Sequence, residues 1–231
     1  MKIKCCNVLG VLFLIIILHP EEVLSLPFRQ GERIIYELRV SGVPIGTMET
    51  RFDGQDTYMG KPTYKWYARS EYKNTIDEEF FQSTTDRFLP LLVKRQIKRG
   101  DKQVRNVTEV YDQKSKILQI VDNDKRELFT YSSEIYNIVL LPYYLRTLHI
   151  KKGDEFFITM PKVSFTLSAI KEEIVETPIG SFETLLLRGH PSYTSIWLKV
   201  DNPVIPIRID VKYVFFRMTM ILKGIENDGD R

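Results

Sequence analysis

Cysteine is almost missing from this chain of 231 residues: the only two, Cys5 and Cys6, lie ahead of an N-terminal apolar run. Beyond that run no disulfide, thiolate nucleophile, Cys-ligated zinc or iron–sulfur cluster is available. Histidine is scarce too. His149 and His190 have no second histidine or cysteine near them in the sequence, so a metal would need carboxylates gathered from distant strands. Both read as structural or exposed side chains, and no metal or cofactor is expected. No Gly-x-Ser-x-Gly elbow presents a serine nucleophile, and no glycine-rich loop could cradle a phosphate. The formal charge of +3 does not demand a nucleic-acid partner, and basic residues are not interleaved with base-stacking aromatics. No catalytic residue emerges from this inventory.

What is present begins at the N-terminus. Lys2 and Lys4 precede the apolar run Val8 to Leu18, which His19-Pro20-Glu21-Glu22 stops, and Val23-Leu24-Ser25 follows. This is the pattern of a signal peptide cleaved after Ser25. The run is too short for a bilayer core of about 30 Å. Cys5 and Cys6 precede it, unlike a lipoprotein attachment site. The expected organisation is a signal peptide over 1–25 and a single β-rich domain over 26–231, located in the periplasm or at the outer membrane. No membrane-spanning segment is expected after cleavage. A domain of that length buries enough apolar surface to fold without disulfides.

From Glu32 onward the hydropathy period is two. Ile34, Tyr36, Leu38 and Val40 alternate with Glu37 and Arg39; after the turn Ser41 to Gly46, Met48, Thr50 and Phe52 alternate with Glu49 and Arg51. Such alternation marks strands with one buried and one wet face. It recurs through Tyr64–Trp66–Ala68, both sides of Gly100-Asp101, and most of the C-terminal third. Asn137 to Leu148 breaks it and reads as a short, largely apolar helix capped by Asn137, with Pro142 expected to bend it. Ten to twelve antiparallel strands and one helix result. The expected fold is an all-β, strongly curled antiparallel sheet or incomplete barrel with the helix against its inner face; a β-sandwich is the alternative.

Three groups of residues are candidates for function. Asp77-Glu78-Glu79 could bring two carboxylates to one face, Asp77 and Glu79, as glycoside hydrolysis requires, but a solvated strand end is the expected reading. Lys94, Arg95, Lys98, Arg99, Lys102 and Arg105 form the main charge cluster, suited to a solvated surface or to contact with anionic lipid or glycan. Trp66, Tyr143, Tyr144, Trp197, Phe215 and Phe216 read first as packing against the sheet, and could line an apolar cavity if the curled sheet is not filled by its own side chains. Arg146, on an otherwise apolar helix, needs a carboxylate, backbone carbonyls or water, and could alternatively meet a ligand headgroup.

Several segments, taken in order, resemble one family. They are Phe28-x-x-Gly31-Glu32-x-x-x-Tyr36, Gly42-x-Pro44-x-Gly46, Tyr143-Tyr144-Leu145-Arg146-Thr147-Leu148, Lys152-Gly153-Asp154, Thr177-Pro178-x-Gly180-x-Phe182-Glu183, Ile196-Trp197-Leu198 and Pro206-x-x-Ile209. Spanning about residues 28 to 223, they resemble the DUF3108 family of exported bacterial proteins. Asn137-Ile138 stands where that family often has Asp-Pro. The resemblance implies an envelope protein with a β-rich shape similar to lipoprotein carriers of the LolA and LolB type, and it assigns no catalytic residue. The leading expectation is a non-enzymatic envelope protein that binds an apolar or lipid-like ligand or docks on an envelope protein. A structural or assembly scaffold is the second expectation, and a glycan or lipid hydrolase the third.

Overall fold

The computed structural model describes residues 26–191, 194–212 and 215–227. The signal peptide expected at 1–25 and Tyr213, expected to extend a late strand, lie outside the described residues. Eight strands come first: β1 (Arg33–Val40), β2 (Val43–Tyr58), β3 (Lys61–Tyr72), β4 (Thr75–Ser83), β5 (Pro90–Arg99), β6 (Lys102–Asp112), β7 (Ile117–Asp122) and β8 (Lys125–Thr130). The helix α1 (Leu141–Arg146) follows. Then come β9 (Glu155–Met160), β10 (Val163–Thr177), β11 (Gly180–His190), β12 (Thr194–Lys199), β13 (Pro206–Lys212) and β14 (Arg217–Glu226).

All fourteen strands form one antiparallel sheet in the order β8-β7-β6-β5-β4-β3-β2-β1-β14-β13-β12-β11-β10-β9. It consists of two meanders, β1–β8 and β9–β14, joined where β1 pairs with β14 from Arg33↔Glu226 to Val40↔Met218. The sheet is not closed, since β8 and β9 are its two free edges. The 131–154 connection runs from one edge to the other and carries α1. Beside the open seam it is tied to β9 by Tyr136 N–H donating to Thr159 O at 2.7 Å and by a Ser133–Thr159 hydroxyl pair at 2.6 Å. Among the described residues a single curled sheet with one helix is therefore what forms, and the sandwich alternative is not.

Alternation explains the two faces. Ile34, Tyr36 and Leu38 of β1 are buried, and Phe52, Trp66, Ala68 and Phe81 continue the inner face across β2 to β4. The outer face is stitched by ion pairs such as Arg33–Glu49 at 2.6 Å and Arg208–Asp210 at 2.7 Å, whose value on a wet surface is register more than energy. Gly46 of β2 has a steric reason: a Cβ there would lie 1.9 Å from the Glu71 carbonyl oxygen.

Two expectations are revised. Fourteen strands form among the described residues rather than ten to twelve, with β4 among those the alternation did not reveal. The helix starts at Leu141 rather than near Asn137. Asn137 instead holds the preceding turn, its Oδ1 accepting from Val139 N–H and its carbonyl from Leu141 N–H, both at 2.8 Å. Pro142 thus falls in the first helical turn, where a missing N–H breaks no intrahelical bond, so no bend is needed.

Candidate functional site

The concave face is filled unevenly. At one end an aromatic cluster packs solid: Trp66 lies 4.6 Å from Phe52, 4.4 Å from Tyr143, 5.3 Å from Phe88 and 5.5 Å from Phe28, ring centre to ring centre. Trp66 Nε1 donates to Ser83 Oγ at 2.8 Å, so even its polar edge is satisfied. A second, mainly aliphatic cluster under β9–β13 gathers Leu141 and Leu145 of the helix with Ile158, Phe165, Leu187 and Ile196.

Between these clusters the interior is not filled. A cavity of about 420 Å³ runs from α1 toward the end of the sheet where the β1–β2 and β3–β4 turns lie. Ile34, Tyr36, Met48, Ile138, Tyr143 and Met220 supply apolar wall, as do Leu38, Ile45, Ile209, Val211 and Met218 nearer the turns. Met48, Tyr72, Val211, Met218 and Met220 are only half-buried although they occupy the inner face. The volume falls within the roughly 300–1,000 Å³ of small-molecule pockets, which combine apolar walls with a few polar groups.

The polar groups come from two places. Beside α1, Arg146 is buried and fully engaged. It donates from Nη1 and Nη2 to Glu32 at 2.5 and 3.0 Å, from Nε to Val204 O at 2.7 Å and from Nη2 to Pro27 O at 3.1 Å. Its guanidinium also sits 4.9 Å from the Phe28 ring centre. Tyr143 Oη donates to Thr50 Oγ1 at 2.8 Å and Tyr36 Oη to Pro206 O at 3.1 Å. Burial, above all, raises both phenols. Three separated segments, the turn carrying Glu32, the helix and Pro206, are thereby locked together.

Nearer the turns, Asp77 and Glu79 of β4 and Arg95 of β5 form the other group. Arg95 donates to both Asp77 oxygens, from Nε at 2.9 Å and Nη2 at 2.5 Å. Glu79 lies 3.3 Å from Arg95 Nε. Burial raises the Glu79 carboxyl to about 7; Arg95 opposes this, and the charges of Asp77 and Glu109 add to it. The solvated strand end expected for Asp77 and Glu79 is therefore not what forms. Asp77 is buried and both point inward, while Glu78, one residue out of phase, meets Tyr67 and Lys98 on the other face.

The residues proposed from the sequence scatter. Tyr143 and Arg146 line the cavity, whereas Trp66 sits in the packed aromatic cluster. Tyr144 leans on Tyr136 at 5.7 Å. Trp197 faces outward, donating to Glu173 at 2.6 Å with Arg208 stacked on its ring at 4.8 Å. Of the basic cluster, Arg95 points into the cavity and Arg105 pairs with Asp122 at 2.7 Å. Lys94 is exposed on the outer face, and Lys98 is 3.6 Å from Glu78. Arg99 and Lys102 stand exposed at the β5–β6 turn. His149 and His190 are exposed, and no group of metal-ligating side chains occurs among the described residues.

A single open antiparallel sheet curled around one short helix, with an apolar cavity beneath it, defines a β-barrel-like class of proteins. The chain belongs to the DUF3108 family, described as proteins of unknown function, whose family pattern matches residues 35–221. It is similar in fold to a β-barrel-like protein of the DUF1849 family from Brucella abortus (TM-score 0.52, 13% identity, 85% of this chain and 97% of that one). Weaker likenesses are a protein from Bacteroides fragilis described as exported with a YmcC-like fold (TM-score 0.33, 11% identity, 87% and 98%) and one from Parabacteroides distasonis described as a lipoprotein (0.32, 12%, 86% and 96%). No curated protein matches the chain. No helix among the described residues is long and apolar enough to cross a membrane.

Proposed function

We propose that this is an exported, non-enzymatic envelope protein that binds an apolar or lipid-like molecule in the cavity beneath α1. The observation carrying the reading is the cavity itself, about 420 Å³ with a mostly apolar lining in an otherwise packed interior. Leaving such a volume unfilled forfeits dispersion contacts and costs stability, and a ligand that fills it recovers them. The N-terminal pattern of Lys2, Lys4 and the Val8–Leu18 run supports export. Exposed Arg99 and Lys102, with Lys94, suit peripheral contact with anionic lipid headgroups.

Two rival roles have less support. A glycoside hydrolase needs two acids that flank a scissile bond, whereas Asp77 and Glu79 lie side by side on one strand against the single guanidinium of Arg95, which holds Asp77 by both prongs. A lipid hydrolase needs a histidine beside its nucleophile, and His149 and His190 are exposed elsewhere. A scaffold built by edge pairing would favour long bare edges, whereas β8 and β9 span six residues each and β8 opens with Lys125, Arg126 and Glu127, which blunt it.

The test is displacement of an environment-sensitive apolar fluorophore. The purified mature protein is expected to take up the probe at one site and release it to long-chain amphiphiles, and Met48→Trp, which puts an indole into the cavity, is expected to abolish uptake while leaving the far-UV spectrum intact. Unchanged uptake by a folded Met48→Trp protein would place the ligand elsewhere and defeat the proposal.

A further inference from the structure

The cavity is amphiphilic, and its charged wall is not self-sufficient. Asp77 is matched by the two-pronged contact with Arg95. Glu79 has an ion-pair contact alone. It lies 3.3 Å from Arg95 Nε, but that N–H is already directed at Asp77, and no hydrogen bond to the Glu79 carboxyl occurs among the described residues. Only about one-fifth of its side chain is exposed. A largely buried carboxyl without a donor is costly, and the cost is relieved by a partner that donates a hydrogen bond.

The charge count points the same way. Asp77 and Glu79 against Arg95 give this wall one excess negative charge when Glu79 is ionised, and Glu32 and Arg146 cancel at the other end. A headgroup entering here meets no surplus cation, and a carboxylate or phosphate monoester would add repulsion to desolvation. An ammonium would complete the missing hydrogen bond and neutralise the excess. The burial that raises Glu79, reinforced by Asp77 of its own strand and Glu109 of β6 and opposed by Arg95 of β5, is what a bound cation would reverse.

We propose that the ligand of this cavity is an amphiphile whose headgroup is a primary amine or ammonium hydrogen-bonded to Glu79, with its apolar chain running toward Met48, Met220 and Tyr143. This rests on the proposed role of the cavity as a ligand site, and it names the headgroup class that the site selects.

The test uses the mature protein and three chains of equal length, decylamine, decanol and decanoate, titrated at pH 8 by calorimetry below their micelle-forming concentrations. Decylamine is expected to bind at least tenfold more tightly than decanoate, with decanol between them. Glu79→Gln, with its far-UV spectrum intact, is expected to bring decylamine to within about threefold of decanol. Equal binding of all three chains, tighter binding of decanoate, or an undiminished preference for decylamine in Glu79→Gln overturns the headgroup assignment but leaves the cavity as a ligand site. If none of the chains binds, both the assignment and the proposed function fail.

Discussion

Replacing Glu79 by Gln should make the ligand-free protein more stable at pH 8 and change it little at pH 4. Burial raises this carboxyl from an ordinary 4.5 to about 7, with Arg95 opposing and Asp77 and Glu109 contributing. The folded state therefore holds the proton more tightly than the unfolded chain. Below pH 4.5 both states are protonated and the group is neutral in the balance. As pH rises through the window from 4.5 to about 7, the unfolded chain releases its proton first, and stability falls. Above 7 the full penalty applies. At 1.36 kcal/mol per pH unit the raised value corresponds to about 3 kcal/mol, an upper figure because Glu79 retains some exposure. Glutamine keeps the shape and removes the charge, so it should recover about 1–3 kcal/mol at pH 8. For a domain of this size that is roughly 2–4 °C in Tm per kcal/mol. The assay is urea unfolding of both proteins at pH 4 and pH 8, read by tryptophan fluorescence. Subtracting variant from wild type removes every titrating group that is not coupled to Glu79. A Gln variant less stable than wild type at pH 8, or a difference independent of pH, would refute the reasoning.

Other predictions follow from other parts of the interior. Arg146→Met should destabilise by about 3–5 kcal/mol, because it strands buried Glu32 without its partner; the Glu32→Gln/Arg146→Met double variant should recover part of that in urea unfolding, and equal losses would argue against a coupled pair. Gly46→Ala should cost about 1–3 kcal/mol or prevent folding, since its methyl would overlap the Glu71 carbonyl; an unchanged Tm would contradict the close approach of β2 and β3. Arg99→Glu with Lys102→Glu, at an exposed turn, should weaken cosedimentation with anionic vesicles by about 1 kcal/mol per cation removed and leave unfolding unaltered. Equal sedimentation would remove that turn from any membrane contact.

The alternation was readable wherever inner-face residues are apolar. Ile34, Tyr36 and Leu38, or Ile207, Ile209 and Val211, announce both their strand and their buried face, and from such segments the curled sheet followed. It failed at β4 for a physical reason. There Asp77 and Glu79 point inward while Ile76 and Phe80 point outward, and with Glu78 outward and Phe81 inward the inversion leaves three acids and then two phenylalanines in a row, so no period of two is visible. The same inversion hid the charged wall of the cavity, because its compensation, Arg95, lies on the neighbouring strand and only register brings it opposite Glu79. Arg146 could be flagged as needing a partner, but Glu32 is 114 positions away, beyond the reach of any local pattern. Its segment, Phe28 to Tyr36, was visible as a family motif; the fold gives the reason, since Phe28, Glu32 and Tyr36 meet the helix and Pro206 in one locked junction. The helix start was misplaced because Asn137 is a good turn residue as well as a good cap.

The most direct test of the central claim is native mass spectrometry of the protein isolated from its own cells, with extraction and identification of whatever leaves it. The account predicts one amphiphile per chain, amine-bearing, present in wild type and missing from a folded Met48→Trp variant. A protein that emerges without bound mass, and that stays empty after incubation with envelope lipid extract, would contradict it.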